Sequence, residues 1–248
     1  MSTAPQNTEN SPSKGAVTIR TIALLLLILL PLAALGSRFG LWPFTVGLPL
    51  VLVSIGGCVV VQIVNAIWLL RKPQLGTKSA LRWACLFALP PLVVAASLMR
   101  SSDDAQAGIH NISTDTINPP QFVVGVEKRG TTSNPLEYTE QVAEIQRTAF
   151  PAVAPIESNL TKDDAFNTAL KAAEQLGWDV YAQDADKGHI EAVDTTFWFG
   201  FKDDVVIRIT STDKGSRIDL RSVSRVGVSD LGANAKRILA FTDAFNAK

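Results

Sequence analysis

Three stretches in the first hundred residues carry no charged side chain: Thr21 to Ser37, Phe39 to Leu70 and Trp83 to Met99, of 17, 32 and 17 residues. A helix crossing a bilayer core needs roughly 20 apolar residues, so each stretch predicts a membrane span. The middle one contains Gly47, Pro49, Gly56 and Gly57 and leaves room for a short turn before a helix from about Leu48 to Leu70. Trp42, Trp68 and Trp83 fall near the predicted ends, where amphipathic rings favour the membrane interface. Small residues around Gly56-Gly57 permit close helix packing.

Beyond Met99 the pattern changes. Residues 101–134 are rich in Asp, Ser, Thr, Asn, Gly and Pro, with Pro119-Pro120 at their centre, which predicts an extended linker. A helix is expected next, capped by Asn134 with Pro135 at its first position, with Tyr138, Val142, Ile145 and Ala149 on one face before Pro151 ends it. A second helix starts at Thr161 with Asp164 three residues on, buries Phe166, Ala169, Leu170 and Ala173, and closes at Gly177. The period then shortens to two. Runs at Trp178 to Ala182, His189 to Phe199, Val205 to Thr210 and Arg217 to Val223 predict consecutive hairpins. A last helix begins near Ser229 or Asp230 and turns Leu231, Ala235, Ile238 and Phe245 inward. The fold class is therefore three transmembrane α-helices followed by an α+β domain, a two-layer sandwich of four to five antiparallel strands and two to three helices. The expected divisions are a disordered tail over 1–15, a membrane region over 16–100, the linker over 101–134 and the α+β domain over 135–248.

Charge adds an orientation. The balance of 23 basic and 23 acidic residues conceals a split: residues 1–100 hold eight basic side chains against the single acid Glu9, and the rest holds fifteen against twenty-two. Lys14, Arg20, Arg71, Lys72, Lys78 and Arg82 fall on one side of the three predicted spans, and Arg38 and Arg100 on the other. Excess Lys and Arg marks the cytoplasmic side, which predicts a multi-pass protein of the inner membrane with a cytoplasmic N-terminus and a periplasmic C-terminal domain. Ala34-Leu35-Gly36 resembles a cleavage site, but two further spans with a basic loop between them favour a retained anchor. Cys58 and Cys85 both fall within spans.

The densest candidate chemistry lies in the run from Arg221 to Arg237, where a strand ends in a Ser/Arg-rich turn that feeds a helix. Arg221, Ser222, Ser224, Arg225, Ser229, Asp230, Asn234 and Arg237 are the candidate ligand residues. Amides at a helix N-terminus beside guanidinium groups suit an anion, although the spacing is not that of a phosphate-binding Walker loop. Against this stands a purely structural role, with Ser229 or Asp230 as cap and Arg221 and Arg225 paired to carboxylates. Arg217, Asp219 and Arg221 share one strand face beside Arg208, as in a solvated salt-bridge ladder. Phe197, Phe199 and Phe201 predict a core stripe, with Trp198 on the opposite side. His110 and His189 are the only histidines. A hydrolytic site would combine His110 and Asp115 with the Arg turn, and Asp203-Asp204 is a weaker carboxylate pair. No metal site, cofactor or catalytic residue is assigned, and the acidic domain disfavours nucleic acid.

The series His110-Asn111-Ile112-Ser113-Thr114-Asp115, Asn118-Pro119-Pro120 with Phe122, Gly177-Trp178, Phe199-Gly200-Phe201-Lys202-Asp203-Asp204-Val205-Val206-Ile207-Arg208, and Arg221 to Arg237 resembles the bacterial and plastid family called domain of unknown function 1499. The resemblance covers about residues 110–246, and some members precede the domain with several spans. It implies no activity. Asn111 stands where the family's first motif suggests an acid, which weighs against a metal-binding pair with His110. The leading expectation is a membrane-anchored binding or scaffolding domain outside the cytoplasm, with the lipid bilayer and an anionic ligand or membrane-protein partner. The alternatives are an envelope hydrolase and a structural subunit of a membrane complex.

Overall fold

The computed structural model describes residues 11–100 and 108–247, which form two compact units. The helical unit consists of α1 (Lys14–Arg38), α2 (Phe44–Leu70) and α3 (Leu75–Arg100), each apolar and long enough to cross a membrane. Ser13 caps α1 by accepting from the Ala16 amide, so the helix starts inside the stretch expected as tail; residues 1–10 of that tail lie outside the described residues. The second helix likewise starts earlier than Leu48, at Phe44, with Pro43 before it.

Small side chains bring the three helices together. Ala23, Cys58, Val61, Ala84 and Ala88 form one buried cluster and Ala16, Ala80 and Leu81 another. A Cβ on Gly57 would meet Leu26 at 2.7 Å, whereas one on Gly56 would meet nothing within 4 Å, so the packing glycine of the pair is Gly57. Trp42 folds back, its Nε1 donating to the Ala33 carbonyl at 3.1 Å, over a Gly36 whose missing Cβ makes room for the ring. Three polar side chains within the bundle donate to backbone carbonyls: Ser54 to Leu26 O, Gln62 to Cys85 O and Asn65 to Leu81 O.

The second unit is an antiparallel six-stranded sheet packed with helices. Its elements are β1 (Asn111–Ser113), α4 (Gly125–Lys128), α5 (Glu140–Ala149), β2 (Ile156–Ser158), α6 (Lys162–Gln175), β3 (Asp179–Asp184), β4 (His189–Thr195), β5 (Lys202–Thr212), β6 (Gly215–Ser224) and α7 (Ala233–Asn246). The order is β1-β6-β5-β4-β3, with β2 pairing the lower part of β6 beside β1. The predicted succession of hairpins is present from β3 to β6.

One face of the sheet carries the apolar core. Ile190, Ala192, Val205, Ile207, Ile209, Ile218 and Leu220 pack with Phe166, Ala169 and Ala173 of α6 and Ala235, Ile238, Phe241 and Phe245 of α7. Trp178 stacks on Phe241 with ring centroids 5.4 Å apart. Thr161 caps α6 as its sequence predicts, its hydroxyl accepting from the Asp164 amide.

Four expectations change. The stretch 101–134, read as linker, is part of the sheet domain from Gly108 onward: it supplies β1 and α4 and buries Ile109, Ile112, Phe122 and Arg129. Residues 101–107 lie outside the described residues. The helix expected from Asn134 starts instead at Glu140, capped by Thr139, because the Asn134 amide group donates to the carbonyls of Ser224 and Gly227. Residues 197–199 form a turn, with Phe197 and Trp198 exposed, so they continue no core stripe. Leu231 points outward rather than inward, because α7 begins only after Gly232, which adopts a left-handed conformation.

Candidate functional site

Alternation along β5 and β6 puts Ile207, Ile209, Ile218 and Leu220 against the helices and turns Asp204, Arg208, Asp219, Arg221 and Arg225 to the opposite face. That second face is not a solvated ladder. The segment 114–138 lies over it, and Phe122 and Leu136 join Val206 and Val223 in a small apolar cluster between the layers. Glu191, Asp204, Asp219 and Arg221 are all buried there.

Charged groups removed from water need partners, and each has them. Asp204 receives Arg129 Nη1 at 2.5 Å and Arg225 through Nε at 2.9 Å and Nη2 at 2.8 Å. The carboxylate pushes the Arg225 guanidinium up, while burial brings that of Arg129 down. Asp219 and Asp115 share Arg208, at 2.9 and 3.0 Å, with Arg217 beside them. Arg221 has no carboxylate among its bonds: Nε donates to Asn111 Oδ1, Nη1 to Pro120 O and Nη2 to Leu136 O.

The remaining candidates meet on the helix side. The Asn234 amide uses its full capacity of two donors and two lone pairs, donating to His110 O and Ser224 Oγ and accepting from Ser222 and Arg237. Arg237 also binds Asp194 at 2.8 Å and Asp203 at 2.6 Å. Asp230 accepts from the amides of Gly232 and Asn234 and so satisfies the start of α7, and burial raises its carboxyl pKa. Ser229 accepts from the Leu231 amide. Ser222, Ser224, Asp230, Asn234 and Arg237 thus form one cluster tying β6, β5 and α7 to the strand that begins the domain. Arg221 and Arg225 lie on the other face, apart from it.

Residues 111–245, more than half of the chain, match a family described as "Protein of unknown function (DUF1499)". The chain belongs to this family. Among curated proteins, no match is found.

Within the DUF1499 domain His110 and Asp115 fall at opposite ends of β1. His110 Nδ1 lies 3.2 Å from the Val228 carbonyl, before β1. Asp115 lies beyond β1, where it accepts from the amides of Ile117 and Asn118 and from Arg208.

The feature hidden from sequence reading is Glu191. Its buried carboxylate accepts from the amides of Val123, Val124 and Gly125, from Tyr181 Oη at 3.3 Å and from His189 Nε2 at 2.7 Å. Burial raises the carboxyl pKa, but the His189 bond and the three amides outweigh it and hold it below its ordinary 4.5. A depressed carboxylate stabilises the fold above its unfolded pKa and loses that contribution as pH falls through the lower folded value. Acidification below about pH 4.5 is therefore expected to release 123–125 from the sheet of the DUF1499 domain. Glu191→Gln should do so at neutral pH. Hydrogen exchange of the Val123, Val124 and Gly125 amides checks both, and unchanged protection in Glu191→Gln would refute the role of the carboxylate.

Proposed function

We propose that this DUF1499 protein is a membrane-anchored, extracytoplasmic scaffolding domain that binds a protein partner through the ridge formed by Val123, Val124 and Val126. The observation that supports this reading most directly is the exposure of all three valines in four consecutive positions of a segment whose backbone is fixed from beneath by Glu191. Apolar side chains held rigidly in water are features of docking surfaces, and a fixed backbone reduces the entropy lost on binding. Six basic residues on one side of the spans against two on the other support the extracytoplasmic placement.

The Arg/Ser cluster suits a positioning role better than an anion site. An anion would reach Arg225 or Arg237 only by displacing Asp204, or Asp194 and Asp203, from bonds already formed. Desolvated ion pairs of this kind are costly to break.

The test is Val123→Asp combined with Val126→Asp in the full-length protein, solubilised gently from its own membrane and run by native electrophoresis beside the parent. We expect the parent to migrate in a defined complex and the variant to leave it while keeping its native near-UV circular dichroism. Co-migration of the folded variant with the complex would sink the reading.

A further inference from the structure

The two ends of the sheet differ in chemistry. Thr195 pairs with Lys202, Asp203 with Ser224, and the Ser224 amide donates to His110 O. The β4–β5 turn, the β6–α7 loop and the start of the domain at Gly108 therefore gather at one end. There Phe197 is 67 % exposed, Val228 82 % and Leu231 41 %. Leu231 also has φ of 55°, an uncommon conformation for a branched side chain. The opposite end, formed by the β3–β4 and β5–β6 turns, exposes Asp186, Lys187, Thr212, Asp213 and Lys214.

We infer that the end carrying Phe197, Val228 and Leu231 inserts shallowly into the interface of the bilayer that α1, α2 and α3 span. Two observations select a lipid surface over other occupants. The apolar side chains sit on the end at which the chain arrives from its last span, and only residues 101–107 separate Arg100 from Gly108, a covalent reach of under about 30 Å at 3.3–3.6 Å per residue. The composition is also that of an interfacial anchor: a phenyl ring beside branched aliphatics, with the exposed Lys202 nearby to meet headgroup phosphates. The insertion would leave the polar turns of the opposite end in water. It depends neither on the valine ridge nor on which side of the membrane the domain occupies.

The test uses the full-length protein with Cys58→Ala and Cys85→Ala, carrying one new cysteine at a time: Phe197→Cys, Val228→Cys or Leu231→Cys at one end, and Lys187→Cys or Lys214→Cys at the other. Each is labelled with an environment-sensitive nitrobenzoxadiazole dye and reconstituted into phosphatidylcholine vesicles with or without a nitroxide on the acyl chain. We expect blue-shifted emission at 197, 228 and 231 that is lost in the nitroxide vesicles, and water-like, unquenched emission at 187 and 214. Water-like emission at 197 and 228 would overturn the inference. Blue-shifted emission there that nitroxide lipid leaves unquenched would overturn it too, since protein rather than lipid would then cover this end.

Discussion

Asp204→Asn is expected to destabilise the α+β domain by about 3–5 kcal/mol, the scale for removing one partner from a buried ion pair. Asp204 is fully buried and holds two guanidinium groups, Arg129 from the covering segment and Arg225 from the end of β6. Asparagine keeps the shape but not the charge, and its amide places a donor where an acceptor stood. Arg129 suffers most, because its side chain is buried and its other partners, the carbonyls of Asn134, Val223 and Ser224, are neutral. Urea titration read by pulse proteolysis of the full-length protein in detergent, following the fragment that contains the sheet, measures the loss. Adding Arg225→Gln should restore part of it by removing one of the two stranded cations. An unshifted midpoint in Asp204→Asn would show that the pair adds nothing to stability.

The same residues explain where the sequence was readable and where it was not. α1, α2 and α3 are legible because their signal is local, a long run without charge. The hairpins and α6 are legible through their two-residue period and through Thr161 and Gly177. β1 and β2 have three residues each, too few for any period to emerge. The segment 114–138 escaped for another reason. Its polar, proline-containing composition is what a solvated linker also shows, and its burial depends on Glu191, Asp204 and Arg221, which lie far along the chain. Alternating charge on β5 and β6 ordinarily marks a wet face, and here a second layer covers it. Phe122 and Leu136 were the available signal, large apolar residues in a stretch that also holds Ile117, Val123, Val124 and Val126 among its prolines and polar side chains. For the candidate site, the helix expected to be capped by Ser229 or Asp230 has Gly232 at its N-cap. The sequence singled out the run from Arg221 to Arg237 but left open whether its charges face a ligand or one another. The partners that decide this, Arg129, Asp194, Asp203 and Asp204, come from three other places in the chain.

Arg221 gives the sharper test, because charge and shape make opposite forecasts there. Its guanidinium lies between the rings of Phe122 and Tyr138, each centroid 5.7 Å away, and bridges Asn111, Pro120 and Leu136, three segments that only the fold brings together. Burial pushes its pKa down to about 10, the mark of a cation held by dipoles and π faces rather than by an anion. If charge were what matters, lysine would serve. A planar fork that spans three acceptors and stacks between two rings has no equivalent in a compact ammonium. Arg221→Lys should therefore lose about as much stability as Arg221→Met, roughly 3 kcal/mol each, because both leave buried acceptors without donors. The first new protease cuts should fall within 114–138 rather than in α6 or α7, since that segment loses its central tie while the apolar core stays intact. A lysine variant with the parent's urea midpoint would mean that the positive charge, not the fork, fastens the covering layer to the sheet.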